Sequence, residues 1–128
     1  MKAYSEKWKS STSPRKQHKY RYNAPLHVRQ NLMSVHLSKD LRKKYGRRSI
    51  TVRKGDTVKI LRGQFRNKSG NVESVDLKKL KIFIAGVDRQ KRDGSKARYP
   101  LEPSNIMITD LSLEDKKRQK SIEEKRSK

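Results

Sequence analysis

The stretch that decides the fold runs from Val52 to Asp76, VRKGDTVKILRGQFRNKSGNVESVD. Val58 and Ile60 alternate with Thr57 and Lys59, the two-residue period of a strand with one buried face. Gly55-Asp56 turns the chain into that strand. Gly63 and Gly70 then bracket a loop, Gln64-Phe65-Arg66-Asn67-Lys68-Ser69, where the backbone turns tightly and is free to approach a ligand closely. Gly55, Gly63, Asn67 and Gly70 are read as the loop-shaping residues. Asparagine tolerates left-handed geometry next best after glycine, and Gly70 is expected at positive φ. Arg62, Arg66 and Lys68 surround the loop. Val72 and Val75 break strict alternation and predict a bulge or strand end.

The β pattern continues downstream. Asp76-Leu77-Lys78-Lys79 reads as a tight link, after which Leu80, Ile82 and Ile84 alternate with Lys81, Phe83 and Ala85. Asp93-Gly94 is a hairpin turn, since both residues tolerate positive φ, and Arg92, Lys96 and Arg98 lie beside it. Ile106 and Ile108 form a last short strand. Several short strands between residues 50 and 110 favour a small barrel.

Upstream, Ala24-Pro25 precedes LHVRQNLM, and proline near a first helical position predicts a short helix. A second helix has Ser38 as N-cap, Leu37, Leu41 and Tyr45 every four residues, and Gly46 as terminator. Its other face carries Lys39, Arg42, Lys43 and Lys44, and Arg47 and Arg48 follow. Met1 to Asn23, polar and basic, reads as extended. After the β unit, Ser112 to Asp115 has capping-box spacing. Only Leu113 and Ile122 offer apolar area there, so a helix is expected to form against a partner and otherwise fray. The chain thus divides into a basic arm (1–49), a β unit (50–110) and a charged tail (111–128).

Charge says what this architecture meets. The 128 residues carry 35 Lys and Arg against 13 Asp and Glu, a formal net charge of +22. Residues 1–50 contribute +12, 51–110 contribute +7 and 111–128 contribute +3. Hydrophobic content is 30% and charged content 38%, against roughly 45–50% and 25% in ordinary globular domains. Part of the chain must therefore be ordered by something other than a core, or not at all; whatever orders it should be a polyanion, with nucleic acid the leading partner. No run approaches the roughly 20 apolar residues that span a bilayer, and MKAYSEKWKSSTSPRK lacks the apolar centre of a signal peptide. The absence of cysteine excludes disulfides and thiolate metal sites.

Nothing proposes catalysis. There is no phosphate-binding GxxxxGK[ST] loop, nucleophile elbow or zinc motif. Asp56, Glu73, Asp76, Asp88 and Asp93 are scattered among bases, for which salt-bridged surface is the default reading. His18, His27 and His36 lack the spacing of a metal site. No metal or cofactor is expected.

GDTVKILRGQFRNKSGNVESV resembles a KOW motif, the strand–loop–strand unit of ribosomal and transcription-elongation proteins. Its relatives usually carry glycine where this chain has Asn67. The flanks narrow the resemblance. NAPLHVRQNLMSVHLSKDLRKKYGRRSITVRKGD and DGSKARYPLEPSNIMITDLSLED, from about Asn23 to Asp115, are similar to the large-subunit ribosomal protein family numbered twenty-four in the universal scheme. The similarity is to its archaeal and eukaryotic branch, and the short tail is closer to the archaeal pattern. The resemblance implies a mainly β protein, a small SH3-like barrel with a basic N-terminal arm containing short helices and a C-terminal helical tail. It also implies a structural constituent of the large ribosomal subunit in the cytoplasm, bound to large-subunit rRNA and neighbouring ribosomal proteins. Family members join early in subunit assembly near the polypeptide exit tunnel, where targeting factors and the translocon also dock. Neither membrane insertion nor a homo-oligomer is expected.

In this reading Lys16, Lys19, Arg21, Arg29, Arg42, Lys43, Arg47, Arg48, Lys54, Arg62, Arg66, Lys68, Arg92, Lys96 and Arg98 meet phosphates, where arginine is able to fork two N–H groups onto one anion. Tyr20 and Tyr22 either stack on unpaired bases or pack on the β unit. Phe65 is buried either by RNA, by a neighbouring protein or by its own loop. The alternative function is a transcription-elongation accessory protein, its KOW unit bound to RNA polymerase or nascent RNA. Charge alone would also permit a non-specific packaging protein.

Overall fold

The computed structural model describes residues 4–124; Met1 to Ala3 of the arm and Lys125 to Lys128 of the tail lie outside the described residues. The chain forms α1 (Pro14–Asn23), α2 (Leu26–Leu32), β1 (Ser34–Leu37), α3 (Lys39–Tyr45), β2 (Ser49–Thr51), β3 (Thr57–Ile60), β4 (Ser69–Asp76), β5 (Lys81–Ile84), β6 (Asp88–Gln90), β7 (Lys96–Arg98), β8 (Ile106–Asp110) and α4 (Lys116–Glu124). Short 3₁₀ turns cover Glu6–Ser10 and Pro103–Asn105. With 34% helix and 29% strand, the fold is mixed α/β, which corrects the mainly β expectation.

A six-stranded sheet runs in the order β2-β1-β8-β3-β4-β5, and β6 and β7 form a separate hairpin. Its pairs are antiparallel except β1 with β8, where His36 and Leu37 sit opposite Met107 and Ile108. Alternation does what the sequence pattern demanded: Val58, Ile60, Ile82, Ile84, Ile106 and Ile108 all turn inward. Leu101 joins them through paired backbone bonds with Ile82 of 2.8 and 2.9 Å. The register of β4 on β5 shifts between Val72 and Ser74, the bulge that the broken alternation predicts.

Tertiary pairing recruits a strand from the arm. Ser34–Leu37 supplies fully buried Val35 and Leu37 to the core, so the β pattern is not confined to residues 50–110. The short apolar run LMSVHL satisfied a helical reading equally well, and only the partners on either side, β2 and β8, make it extended. Ser38 then caps α3, its Oγ accepting from Leu41 N–H at 3.4 Å, and Gly46 ends that helix at φ 63°, both as the sequence predicts.

Three local expectations are corrected. Residues 14–23 are helical, not extended: Pro14 occupies the first turn, where its fixed φ suits a helix, and Arg15, Lys16, Gln17 and Lys19 are strong helix formers. Because Tyr20 is the helix's sole buried residue, no apolar period advertised it. Leu80 belongs to the turn before β5, with φ 55°. The capping box at Ser112 does not form. Helix α4 begins after Asp115, whose Oδ1 accepts from Lys117 N–H at 2.9 Å, because Ser112 N–H is already given to Asp56 Oδ1 at 3.0 Å.

Helix α4 is packed on its own domain instead of awaiting a partner. Arg118 and Ile122, one turn apart and therefore on one face, are 5% and 2% exposed. Ile122 enters the apolar core. Arg118 Nη1 and Nη2 fork onto Asp56 at 2.6 and 2.7 Å, and they also reach Ser112 O at 2.9 Å and Thr51 O at 3.2 Å. Asp56 is wholly buried, so the expectation of a surface ion pair fails for this residue.

Candidate nucleic-acid interface

The loop between β3 and β4 is shaped by two left-handed residues, and a third turns the chain into β3. Gly63 has φ 100°, Asn67 φ 68° and, at the entry to the unit, Gly55 φ 93°. Asn67 N–H donates to Ile60 O at 2.9 Å and Ile60 N–H to Lys68 O at 2.8 Å, closing the loop on its own strands. Gly70 has a different reason for being glycine. It lies in β4 opposite Val58, without positive φ, and a Cβ there would stand 2.8 Å from Ala85 O and from Ile84 Cγ2. Close approach of β5, not left-handed backbone, excludes a side chain.

Phe65 folds onto its own domain. Its ring meets Tyr99 edge-on at 5.0 Å between centroids, and Lys68 Nζ lies 5.0 Å from the ring's centroid. A cation above and an aromatic edge beside it hold the loop tip. Arg62, Arg66 and Lys68 remain exposed around it, as does Lys54 near Gly55. On the hairpin, Arg92 and Lys96 are exposed, and Arg98 reaches Ser74 Oγ at 3.3 Å. Asp93 accepts from Ser95 N–H and Oγ–H at 3.0 and 2.7 Å; those two bonds hold its carboxyl below the usual range and brace the Gly94 turn.

The arm presents Lys16, Lys19, Arg21 and Tyr22 to solvent, with Tyr22 80% exposed. Tyr20 does not join them. It is 8% exposed and stacked on Tyr4 at 5.4 Å, so base stacking is open to Tyr22 and closed to Tyr20. Arg29 is also committed elsewhere: Nε donates to Ala24 O at 3.0 Å, Nη1 to Lys78 O at 2.8 Å and Nη2 to Tyr22 O. It ties the α1–α2 junction to the β4–β5 turn, backbone carbonyls taking the donors that a phosphate would need. Lys43 and Arg48 are exposed, Arg42 and Arg47 half-buried.

The sequence reading named Arg21 and Arg47 as phosphate contacts but neither Arg53, Lys79, Lys81, Glu102, Lys117 and Arg118 nor the clefts they form together. Arg47 Nη2 donates to Ser121 O at 2.9 Å, and Arg53 pairs with Asp115, its guanidinium holding that carboxyl below its usual range. Together with Lys117 and Arg118 they line a cleft of about 190 Å³ between β2 and α4. A second cleft gathers Arg21, Lys79, Lys81 and Glu102. Neither is a contiguous motif, and only charge density hinted at them. Among the described residues no three His, Asp or Glu side chains group to hold a metal, and no helix is long and apolar enough to cross a membrane.

Among the described residues the surface is therefore a set of exposed and half-buried cations carried on braced turns and short helices. Comparison with known proteins agrees in kind. A protein of Methanosphaera stadtmanae described as "Large ribosomal subunit protein uL24" is 50% identical over 115 residues, which cover 90% of this chain and 98% of that protein. The family described as "Ribosomal proteins L26 eukaryotic", together with its archaeal members numbered twenty-four, matches residues 11–125. With the match running from the arm through the β unit into the tail, this chain belongs to that family of non-enzymatic ribosomal proteins.

Proposed function

We propose that the protein is a structural constituent of the large ribosomal subunit that grips large-subunit rRNA through phosphates. The observation that carries this reading is the family match over residues 11–125, and the net charge of +22 supplies its physics. The six-stranded sheet, with Leu101 bridged to Ile82 at its β5 end, is read as an SH3-like barrel of the KOW type that sets orientation. Arm residues Lys16, Lys19, Arg21 and Tyr22, helix residues Arg42 and Lys43, Arg47, Arg48 and Lys54, loop residues Arg62, Arg66 and Lys68, and hairpin residues Arg92, Lys96 and Arg98 make the contacts. Tyr20 and Arg29 brace the arm instead, and Phe65 braces the loop. Family resemblance supports early joining of the subunit near the polypeptide exit tunnel, beside other ribosomal proteins. A transcription-elongation role is set aside, because the matched family is ribosomal over nearly the whole chain.

The test is salt-dependent binding to a large-subunit rRNA fragment. Each phosphate contact lowers log K by about 0.7–0.9 per unit of log salt. Replacing Lys16, Lys19 and Arg21 together by alanine should flatten the slope by about 2 while leaving the thermal transition in place. An unchanged slope would remove the arm from the interface. Deleting residues 1–49 is a poorer test, because it would strip β1 from the sheet.

A further inference from the structure

The cleft of about 440 Å³ that joins the arm to the β unit is not accounted for by a phosphate-gripping surface. It falls in the roughly 300–1,000 Å³ range of small-ligand sites, a range it shares with a larger cleft of about 780 Å³ beside Val52 and Val75 and one of about 300 Å³ beside β2; its chemistry, not its size, sets it apart. Four distant segments build it: the end of α1, the end of α2 with strand β1, the turn into β5, and the turn after the β6–β7 hairpin.

Its lining sorts by chemistry. Arg21, Lys79 and Lys81 bring positive charge, while Leu80 and Pro103 bring apolar surface. Leu80 is held at φ 55°, a backbone geometry that leucine takes at a cost and that tends to persist at binding sites. Glu102 supplies an acceptor. Lys81 Nζ lies 2.9 Å from its Oε1, which anchors the carboxylate and leaves Oε2 to accept from a ligand. Lys81 first, and Arg21 from across the cleft, hold the Glu102 carboxyl below its usual range, so near neutral pH it only accepts. His36 adds an imidazole of the kind that stacks on splayed bases.

Cations for a phosphate, apolar walls for a flat ring and one fixed acceptor match the parts of a nucleotide. We propose that this cleft receives a single unstacked rRNA nucleotide whose base carries an exocyclic amino group, which donates to Glu102 while the phosphate lies against Arg21, Lys79 and Lys81. The inference rests on the rRNA reading above and adds a discrimination that phosphate contacts lack: where cytosine carries its amino donor uracil carries a carbonyl oxygen, which would face Glu102 Oε2 acceptor to acceptor.

The full chain is titrated with cytidine monophosphate, uridine monophosphate and inorganic phosphate, followed by amide NMR. The cytidine nucleotide should shift Leu80 and Ser104 saturably, the uridine nucleotide should bind about tenfold more weakly, and phosphate, which meets only the cations, should leave Ser104 in place. Glu102→Gln, a change at an exposed side chain, should erase the cytidine–uridine difference without altering the fold. Equal binding of the two nucleotides, no response at Leu80 and Ser104, or the same response to phosphate alone would each overturn the proposal. Binding of an rRNA fragment is measured in parallel. Retained rRNA binding with a silent cleft defeats the nucleotide site alone, whereas lost rRNA binding with a responsive cleft defeats the rRNA reading and leaves the site standing.

Discussion

Arg118 reaches across the domain to place its two terminal nitrogens on the two carboxylate oxygens of Asp56, at 2.6 and 2.7 Å, with both side chains shut away from solvent. Asp56 also accepts from Arg53 N–H at 2.9 Å and Ser112 N–H at 3.0 Å. Each carboxylate oxygen thus has two donors, so the desolvated charge is compensated as fully as its geometry allows. The residue that opens the glycine-loop unit is also the anchor of the C-terminal helix.

Removing one partner should therefore be far worse than removing an ordinary ion pair. Asp56→Asn leaves a buried guanidinium without its counter-charge, at a cost of about 3–5 kcal/mol. Urea unfolding should show a lower midpoint, and limited proteolysis should cut first within α4. A midpoint shift worth less than about 1 kcal/mol would mean that solvent reaches the pair.

Gly70 should resist substitution and Asn67 should tolerate it. Gly70→Ala pushes a methyl against Ala85 O and Ile84 Cγ2 at 2.8 Å and should destabilise by about 1–3 kcal/mol through overpacking. Asn67→Gly, at φ 68°, relieves a left-handed residue and should stay within about 0.5 kcal/mol of the parent, since glycine's extra chain entropy opposes the relief. Thermal denaturation of both variants decides the matter, and a well-tolerated Gly70→Ala would refute the close approach of β5.

The Phe65–Tyr99 contact predicts coupling between loop and hairpin exit. A double-mutant cycle with Phe65→Leu and Tyr99→Leu should give an interaction energy of about 0.5–1.5 kcal/mol. Strict additivity would mean that the two rings do not meet in solution.

Acid should loosen α4 at its start. Asp115 has its folded carboxyl below the unfolded value of 3.8 because of Arg53 and then the Lys117 N–H. Its contribution is present above that value and disappears as pH falls through the lower folded one. Amide shifts of Lys117 should move over that acidic interval in the parent and stay flat in Asp115→Asn. Identical titrations in the two proteins would place the cause elsewhere.

How far the primary structure carries is visible residue by residue. Val58, Ile60, Ile82, Ile84, Ile106 and Ile108 declare themselves because a strand's two-residue period is local. Ser38 and Gly46 declare α3 for the same reason: a cap and a terminator act within one turn. The exposed cations of the candidate interface were legible as charge. Strand β1 was not, because four residues of it fit either periodicity until β8 and β2 flank them. Tyr20 was not, because its burial depends on Tyr4 stacking from another segment.

The amino-acid order alone determined the alternating apolar strands, the glycine-bounded loop and a surplus of positive charge that calls for a polyanion. Tertiary structure alone decided that Asp56 is interior and that α4 docks on its own domain. It also decided that Gly70 answers to a neighbouring strand, and that Arg21 and Glu102 share a cleft. The physical reason is range. Periodicity, capping and turn chemistry act over a few residues, whereas Asp56 and Arg118 are 62 positions apart, and desolvating their charges becomes tolerable only once the sheet between them has formed.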